Sequence, residues 1–302
     1  MRRTATPLLV LLACVGVAGP ASPSPPHVLH CHDRSSAILG TAGADVLVGT
    51  PGDDTIAGRG GDDVIRGLGG SDYICGGRGN DTVRGGSGPD SVNGGPGDDD
   101  VDGERGRDGA SGGEGDDTVA TGPGADGSAD GEAGHDLVLG AEGDNILFGG
   151  TGNDVIRGFG GRDHLQGDSG SDTIRGGVGR DLISFQGEGI RAGGVRIDMG
   201  QGVSTSADGN DIFTLVRDVV ASDGPDVIEG HGQGNRIYGL LGRDTILGRG
   251  GDDRLRGGED RDEIFGGHGD DVARGGVGLD LCRAETEYRC ELEPAGDTTP
   301  DP

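Results

Sequence analysis

The chain has 302 residues, 70 of them glycine, and its 53 acidic residues outnumber 25 basic ones to leave a net charge of −28. Tryptophan is absent and the chain holds only five Phe and three Tyr, which excludes a conventional globular core; taken alone, this composition describes a disordered chain. Every basic residue is arginine, scattered among acids, so nothing points to nucleic acid.

In chain order, Arg2 and Arg3 precede the apolar run Pro7 to Val17 and the small residues Ala18, Gly19 and Ala21. This pattern predicts a secretory signal peptide over residues 1–21, with cleavage near Ala18 or Ala21. The run is too short for a transmembrane segment. Cys14, after Leu11, Leu12 and Ala13, offers a lipoprotein anchor as the alternative, but the apolar run continues past it, which favours full secretion. Residues 22–39 are expected to form a Pro-rich leader and an N-terminal cap. His27, His30, Cys31 and His32 could hold Cu or Zn, although a flexible leader ahead of a disulfide is the preferred account.

From Gly40 a nine-residue phrase, Gly-Gly-x-Gly-x-Asp-x-U-x with U apolar, repeats to Ser184 and again from Ala221 to Arg283. Position one is Gly in twenty-one of twenty-three copies, position four likewise, and position eight is Val, Ile or Leu in nineteen. A fixed short period over this length is the mark of a solenoid. One residue, Asp130, is read as an insertion that breaks the phase.

Position six is the chemical one. It holds Asp45, Asp54, Asp63, Asp72, Asp81, Asp90, Asp99, Asp108, Asp117, Asp126, Asp136, Asp154, Asp163, Asp172 and Asp181 in the first block, and Asp226, Asp244, Asp253, Asp262, Asp271 and Asp280 in the second. Asn145 and Asn235 are the exceptions. Glycines at positions one and four permit positive φ and close backbone approach, so six residues can bend and aim carbonyl oxygens at one point. A carboxylate added to carbonyls, with no thiolate or imidazole in phase, is a hard oxygen donor set for Ca²⁺ rather than Zn²⁺. The last three residues are expected to form a short strand with its middle side chain inward. One apolar side chain for every nine ordered residues is a thin core, so metal ligation must supply the balance of the folding energy.

These repeats resemble those of RTX, or hemolysin-type, calcium-binding proteins, over about three quarters of the chain. The resemblance implies an all-β fold, a calcium-loaded parallel β-roll or β-solenoid in two blocks joined by a short β spacer. It also implies two repeats per coil and an ion shared between each loop and the loop two repeats later, so that Asp54 partners Asp72, Asp63 partners Asp81 and Asp154 partners Asp172. Pairing in this way, without the two Asn positions, gives at most about sixteen Ca²⁺, whose 32 positive charges would offset the net −28.

Residues 40–184 and 221–283 are thus the two roll blocks, 185–220 the spacer and 284–302 a C-terminal cap and tail. In the spacer Val195, Ile197 and Met199 alternate, then Ile212, Leu215 and Val219 recur, which predicts longer strands, such as a hairpin continuing the sheets; a structural joint is favoured over a ligand-binding insert. Once the signal is removed, Cys31, Cys75, Cys282 and Cys290 remain, an even set in an exported chain that favours disulfides. Proximity pairs Cys31 with Cys75 and Cys282 with Cys290, clasping the two ends of the stack.

No catalytic motif is present: there is no His-Glu-x-x-His and no Gly-x-Ser-x-Gly, and Gly167-Asp168-Ser169-Gly170 falls in phase with the repeat. His135 and His164 read as surface residues. In many relatives such a roll is the tail of a protease, lipase or toxin, but no stretch here is left over for one. The expectation is a non-enzymatic, secreted, extracellular calcium-binding protein with a structural or surface role and an unknown extracellular partner. The alternative is a calcium-dependent adhesin or ligand-binding module. An ice-binding face is excluded, because Thr55, Val64, Tyr73, Thr82 and Asp100 mix freely at the outward positions.

Overall fold

The computed structural model describes residues 38–124, 126–186, 193–288 and 290. The expected signal peptide, Cys14, the leader with its histidines, Cys31 and the tail after 290 lie outside the described residues. All 29 strands among the described residues belong to the unit Cys31–Pro302.

Each nonapeptide contributes one strand, and successive strands alternate between two sheets of 14 and 15 strands. Parallel pairing joins residues eighteen apart, as in Ile56↔Ile74 and Ile65↔Val83, so two repeats make one coil. Position eight points inward and stacks into two ladders, with Ile56, Ile74, Val92, Leu147 and Leu165 in one and Ile65, Val83, Val101, Ile156 and Ile174 in the other, all essentially inaccessible. The strands are longer than expected. Many run six residues, such as Thr55–Gly60 and Val64–Gly69, through positions seven to nine and on into positions one to three. The turn proper is therefore confined to positions four to six.

The glycines divide their labour. At position one, Gly58 and Gly67 have ordinary φ, but a Cβ there would run into the carbonyl oxygen of Gly76 or Gly85 in the next coil. Positive φ falls instead at positions two and four, as in Gly77 and Gly79. Arg59, Leu68, Phe159 and Leu240 adopt it at position two with φ of 71–83°, a left-handed conformation that costs non-glycine residues about 1–2 kcal/mol.

The phase break lies upstream of Asp130. Ser128 pairs with Gly109 and Ala129 with Ala110, and Ala129 is buried while Ser128 is exposed. The extra residue is accommodated between Thr121 and Gly127, so Ala129, and not Ser128, takes the inward position, and Asp130 is an ordinary position nine.

In the spacer the hairpin is present, but its strands are short. Arg196–Asp198 and Val203–Thr205 pair antiparallel, and Val203 pairs with Ile212 of Ile212–Thr214. These three strands are inserted in the 15-stranded sheet between Thr173–Gly179 and Val227–Glu229, whereas in the other sheet Leu182–Ser184 pairs directly with Asp218–Val220. Phe185, Val195, Ile197, Met199, Phe213 and Val216 fill the core there, with Phe185 and Phe213 edge to face at 6.4 Å. At the C-terminus Cys282 occupies an inward position and bonds Cys290, with Cα atoms 5.7 Å apart. Cys75 is also disulfide-bonded; the expected partner, Cys31, lies outside the described residues.

Two predictions follow from packing. Ala110 and Ala129 stack between Val92 and Leu147, a ladder segment short of branched side chains by a few methylenes at about 0.8 kcal/mol each. At limiting calcium, hydrogen exchange should be earliest in Gly109–Glu114 and Ser128–Ala133; earlier exchange in Val155–Gly161 would contradict the ladder argument. Peptide mapping without reduction should recover Cys282–Cys290 together with Cys31–Cys75, and Cys290→Ser should weaken the last coil by about 2–3 kcal/mol.

Candidate metal sites

Within each column, a position-six carboxylate that follows another ties two coils together. The backbone N–H of Asp63 donates to Oδ1 of Asp81 at 2.7 Å, Asp54 to Asp72 at 2.8 Å, and Asp154 to Asp172 at 2.8 Å, so the pairs eighteen residues apart are brought together. Oδ1 is thereby satisfied. Oδ2 turns inward beside the position-one glycine of its own repeat, where a Cβ on Gly58 would meet both Asp63 Oδ2 and the Gly76 carbonyl oxygen. In seventeen of these aspartates Oδ2 is buried without any hydrogen-bond partner: Asp63, Asp72, Asp81, Asp90, Asp99, Asp108, Asp117, Asp136, Asp154, Asp163, Asp172, Asp181, Asp244, Asp253, Asp262, Asp271 and Asp280.

A buried carboxylate oxygen facing only other acceptors is strongly unfavourable unless a cation or a proton joins it. Among the described residues no three His, Cys, Asp or Glu side chains converge. A cation here would therefore draw on backbone carbonyls as well as carboxylates, which suits Ca²⁺ and not Zn²⁺.

Where a column of aspartates begins, the spare oxygen is handled differently. Thr41, Thr50 and Ser222, all at position two, donate backbone N–H groups to Oδ2 of Asp45, Asp54 and Asp226, and their hydroxyls bond the same three carboxylates. These three lack an upstream Asp. Asn145 and Asn235 follow the same logic. The residue one coil before Asn145 is Gly127, and the one before Asn235 is Arg217. Asn145 Nδ2 donates to the Gly143 carbonyl at 2.6 Å and Asn235 Nδ2 to that of Arg217 at 2.7 Å. An amide N–H thus meets loop carbonyls at the two places where the carboxylate pair is broken.

The register shift corrects one expected ligand. Asp126 is exposed, and its Oδ1 accepts the N–H of Asp144, which is a position-five contact. Gly127 has taken position six because the extra residue lies before it. Two acids that the period does not mark join the ladders. Asp211 Oδ1 accepts the Asp172 N–H at 3.0 Å, and Glu285 accepts that of Asp271 at 2.9 Å. Asp211 was legible, since Gly209-Asn210-Asp211-Ile212-Phe213-Thr214 repeats the half-phrase Gly152-Asn153-Asp154-Val155-Ile156-Arg157; Glu285 carries no such signal. His135 is exposed and accepts the Asn153 N–H through Nδ1 at 2.8 Å. His164 is not a free surface residue: it is half-buried against Phe148, and burial lowers its pKa.

Burial, followed by repulsion from neighbouring carboxylates, raises the acid pKa values, partly opposed by the backbone N–H. Asp81 is pushed up to about 6, Asp99 and Asp172 to about 7, and Asp117 and Asp244 to about 8. The metal-free roll therefore binds more protons than the unfolded chain between about pH 4 and 8, and its stability falls as pH rises through that window. Without calcium, far-UV circular dichroism should show more β-structure near pH 4 than at pH 8; a metal-free spectrum independent of pH would contradict the buried carboxylates. Calcium should oppose the loss at pH 8 by replacing the proton.

The RTX calcium-binding nonapeptide repeat family matches residues 39–74, 76–110, 110–127, 128–156, 157–186, 218–246 and 247–282. The gap between 186 and 218 is the spacer, and the boundary at 127 and 128 falls beside the register break. No curated protein matches the chain. Eighteen-residue coils, paired position-six carboxylates and matched segments covering well over half of the sequence agree, and the chain belongs to the RTX calcium-binding nonapeptide repeat family.

Proposed function

We propose that the protein is exported and acts outside the cell as a calcium-folded, non-catalytic β-roll with a structural or surface role. The observation that carries the calcium part is the set of seventeen buried, partnerless Oδ2 atoms. An object that must bury so many anions needs cations from its surroundings in order to fold, and its metal-binding energy is then folding energy. Export is supported by the signal-peptide pattern of residues 1–21 and by cysteines used as disulfides, which suit an oxidising compartment. The absence of a catalytic role is supported by the use of in-phase residues, Ser169 included, as strand and turn positions.

The ligands would be the position-six aspartates of successive coils together with loop carbonyls. Of the sixteen expected pairs, Asp108 with Asp126 is lost to the register shift, which leaves fifteen. The adhesin reading concerns the outward faces and gains support only from the arginine patch described below.

The test is a titration of the mature chain at pH 8. Circular dichroism should convert cooperatively from coil to β with millimolar Ca²⁺ and reverse on chelation, while Mg²⁺, which demands a small rigid octahedron, should not substitute. A fully folded spectrum without metal at this pH would refute the reading. Asp81→Asn should lower the calcium stoichiometry and reduce the dependence of folding on calcium, because its amide can donate where Asp81 Oδ2 needs a cation. Fractionation of the native cells checks export.

A further inference from the structure

The outward face of the 14-stranded sheet changes character in the second block. Register places Arg236 beside Arg254 and Tyr238 beside Arg256, then Arg256 beside Arg274 and Arg274 beside Tyr288. Like charges directly opposite on neighbouring strands repel, yet four arginines are set side by side. None of the four guanidinium groups has a carboxylate partner among the described residues, although those of other arginines find one, such as Arg84 with Asp100 and Arg196 with Glu229. Asp218, opposite Arg236 in register and accepting its backbone N–H at 2.9 Å, is already held by Arg180 through two bonds of 2.7 and 2.8 Å. Glu287 accepts the Ala284 N–H, and Glu259 stands on the strand of Arg254 and Arg256 but toward the turn.

Two tyrosines flank the arginine row. Arg256 lies 5.7 Å from the Tyr238 ring centroid and Arg274 lies 5.3 Å from that of Tyr288, contacts that orient guanidinium planes without neutralising them. Beside Tyr288 is a pocket of about 490 Å³ lined by Arg256, Gly258, Arg274, Gly276 and Tyr288. Two of its five lining residues are glycines, so the side chains that line it are those of the two arginines and the tyrosine. Two forks on strands about 4.8 Å apart suit one carboxylate or sulfate, and the row from Tyr238 to Tyr288 continues over four strands, which suits a linear chain bearing repeated anions and sugar faces.

We infer that this face binds an acidic polysaccharide, a chain of carboxylate- or sulfate-bearing sugars, with Arg256, Arg274 and Tyr288 forming the central subsite. This rests on the calcium-folded, exported reading, because the patch exists only in the coiled state, and calcium would remove the surplus negative charge that otherwise repels polyanions.

The test uses the full mature chain with millimolar calcium at low ionic strength. Hyaluronan and dextran sulfate are titrated against it, with neutral dextran, anionic phospholipid vesicles and duplex DNA as the other arms. Binding to the two acidic polysaccharides and not to neutral dextran is expected, declining as salt screens the charges. Arg256→Gln with Arg274→Gln should weaken it by about tenfold or more. The control pair Arg157→Gln with Arg175→Gln removes two exposed, register-matched arginines from the other sheet and should leave binding within about twofold. A folded chain that ignores both polysaccharides, equal losses in the two double variants, or stronger binding to vesicles or DNA would overturn the inference. Circular dichroism is recorded on each sample: a chain that stays unfolded in calcium overturns the calcium reading along with this one, whereas a folded chain without binding overturns this one alone.

Discussion

Everything in this roll depends on a carboxylate that serves two coils at once. One oxygen accepts the backbone N–H of the coil before it, which fixes the eighteen-residue register; the other is buried without a donor, near a carbonyl oxygen of the next coil. The first interaction is an ordinary hydrogen bond worth about 1 kcal/mol or somewhat more for a charged acceptor. The second is a deficit, and it makes the fold conditional. A chain with so narrow an apolar ladder cannot hold these anions dry by packing alone, and the raised acid pKa values express the same imbalance in protons.

Much of this was legible in the sequence because the period is strict and the chemistry is local. The inward ladder follows from the nine-residue spacing, whereas the coil length and the pairing of aspartates were implied by the resemblance to RTX repeats. What escaped was non-local. The shift from Asp126 to Gly127 needs the knowledge that Ala129 packs against Ala110, and a count along the chain cannot say where an extra residue is absorbed. The glycine roles also separated only in three dimensions: position one is small because the next coil's carbonyl presses on it, whereas position two carries the positive φ and tolerates Leu68 or Phe159 there. The two asparagines, exceptions to the pattern in one dimension, become part of it once Gly127 and Arg217 are seen as their upstream neighbours.

Substitution thus follows electrostatics rather than composition. A column can begin with Thr or Ser supplying donors, be interrupted by Asn, or end on Glu285, and in each case the local count of donors against buried oxygens is adjusted. Such adjustments let the chain vary a crowded motif without leaving a charge stranded.

The interruptions are also staggered. In the 14-stranded sheet's column of loops the aspartate run stops at Gly127, but beside it the other column continues without a break from Asp45 to Asp211, as an overlapping brick spans the joint below. At the spacer the arrangement is reversed: Arg217 interrupts one column while Val195 stands ahead of Asp226 in the other, so both joints fall together. In a one-dimensional stack, where each unit leans only on its neighbours, the first discontinuity is bridged and the second is a firebreak. Unravelling that starts at the C-terminal coils would be arrested at residues 195–226, and the longer first block would survive the loss of the second.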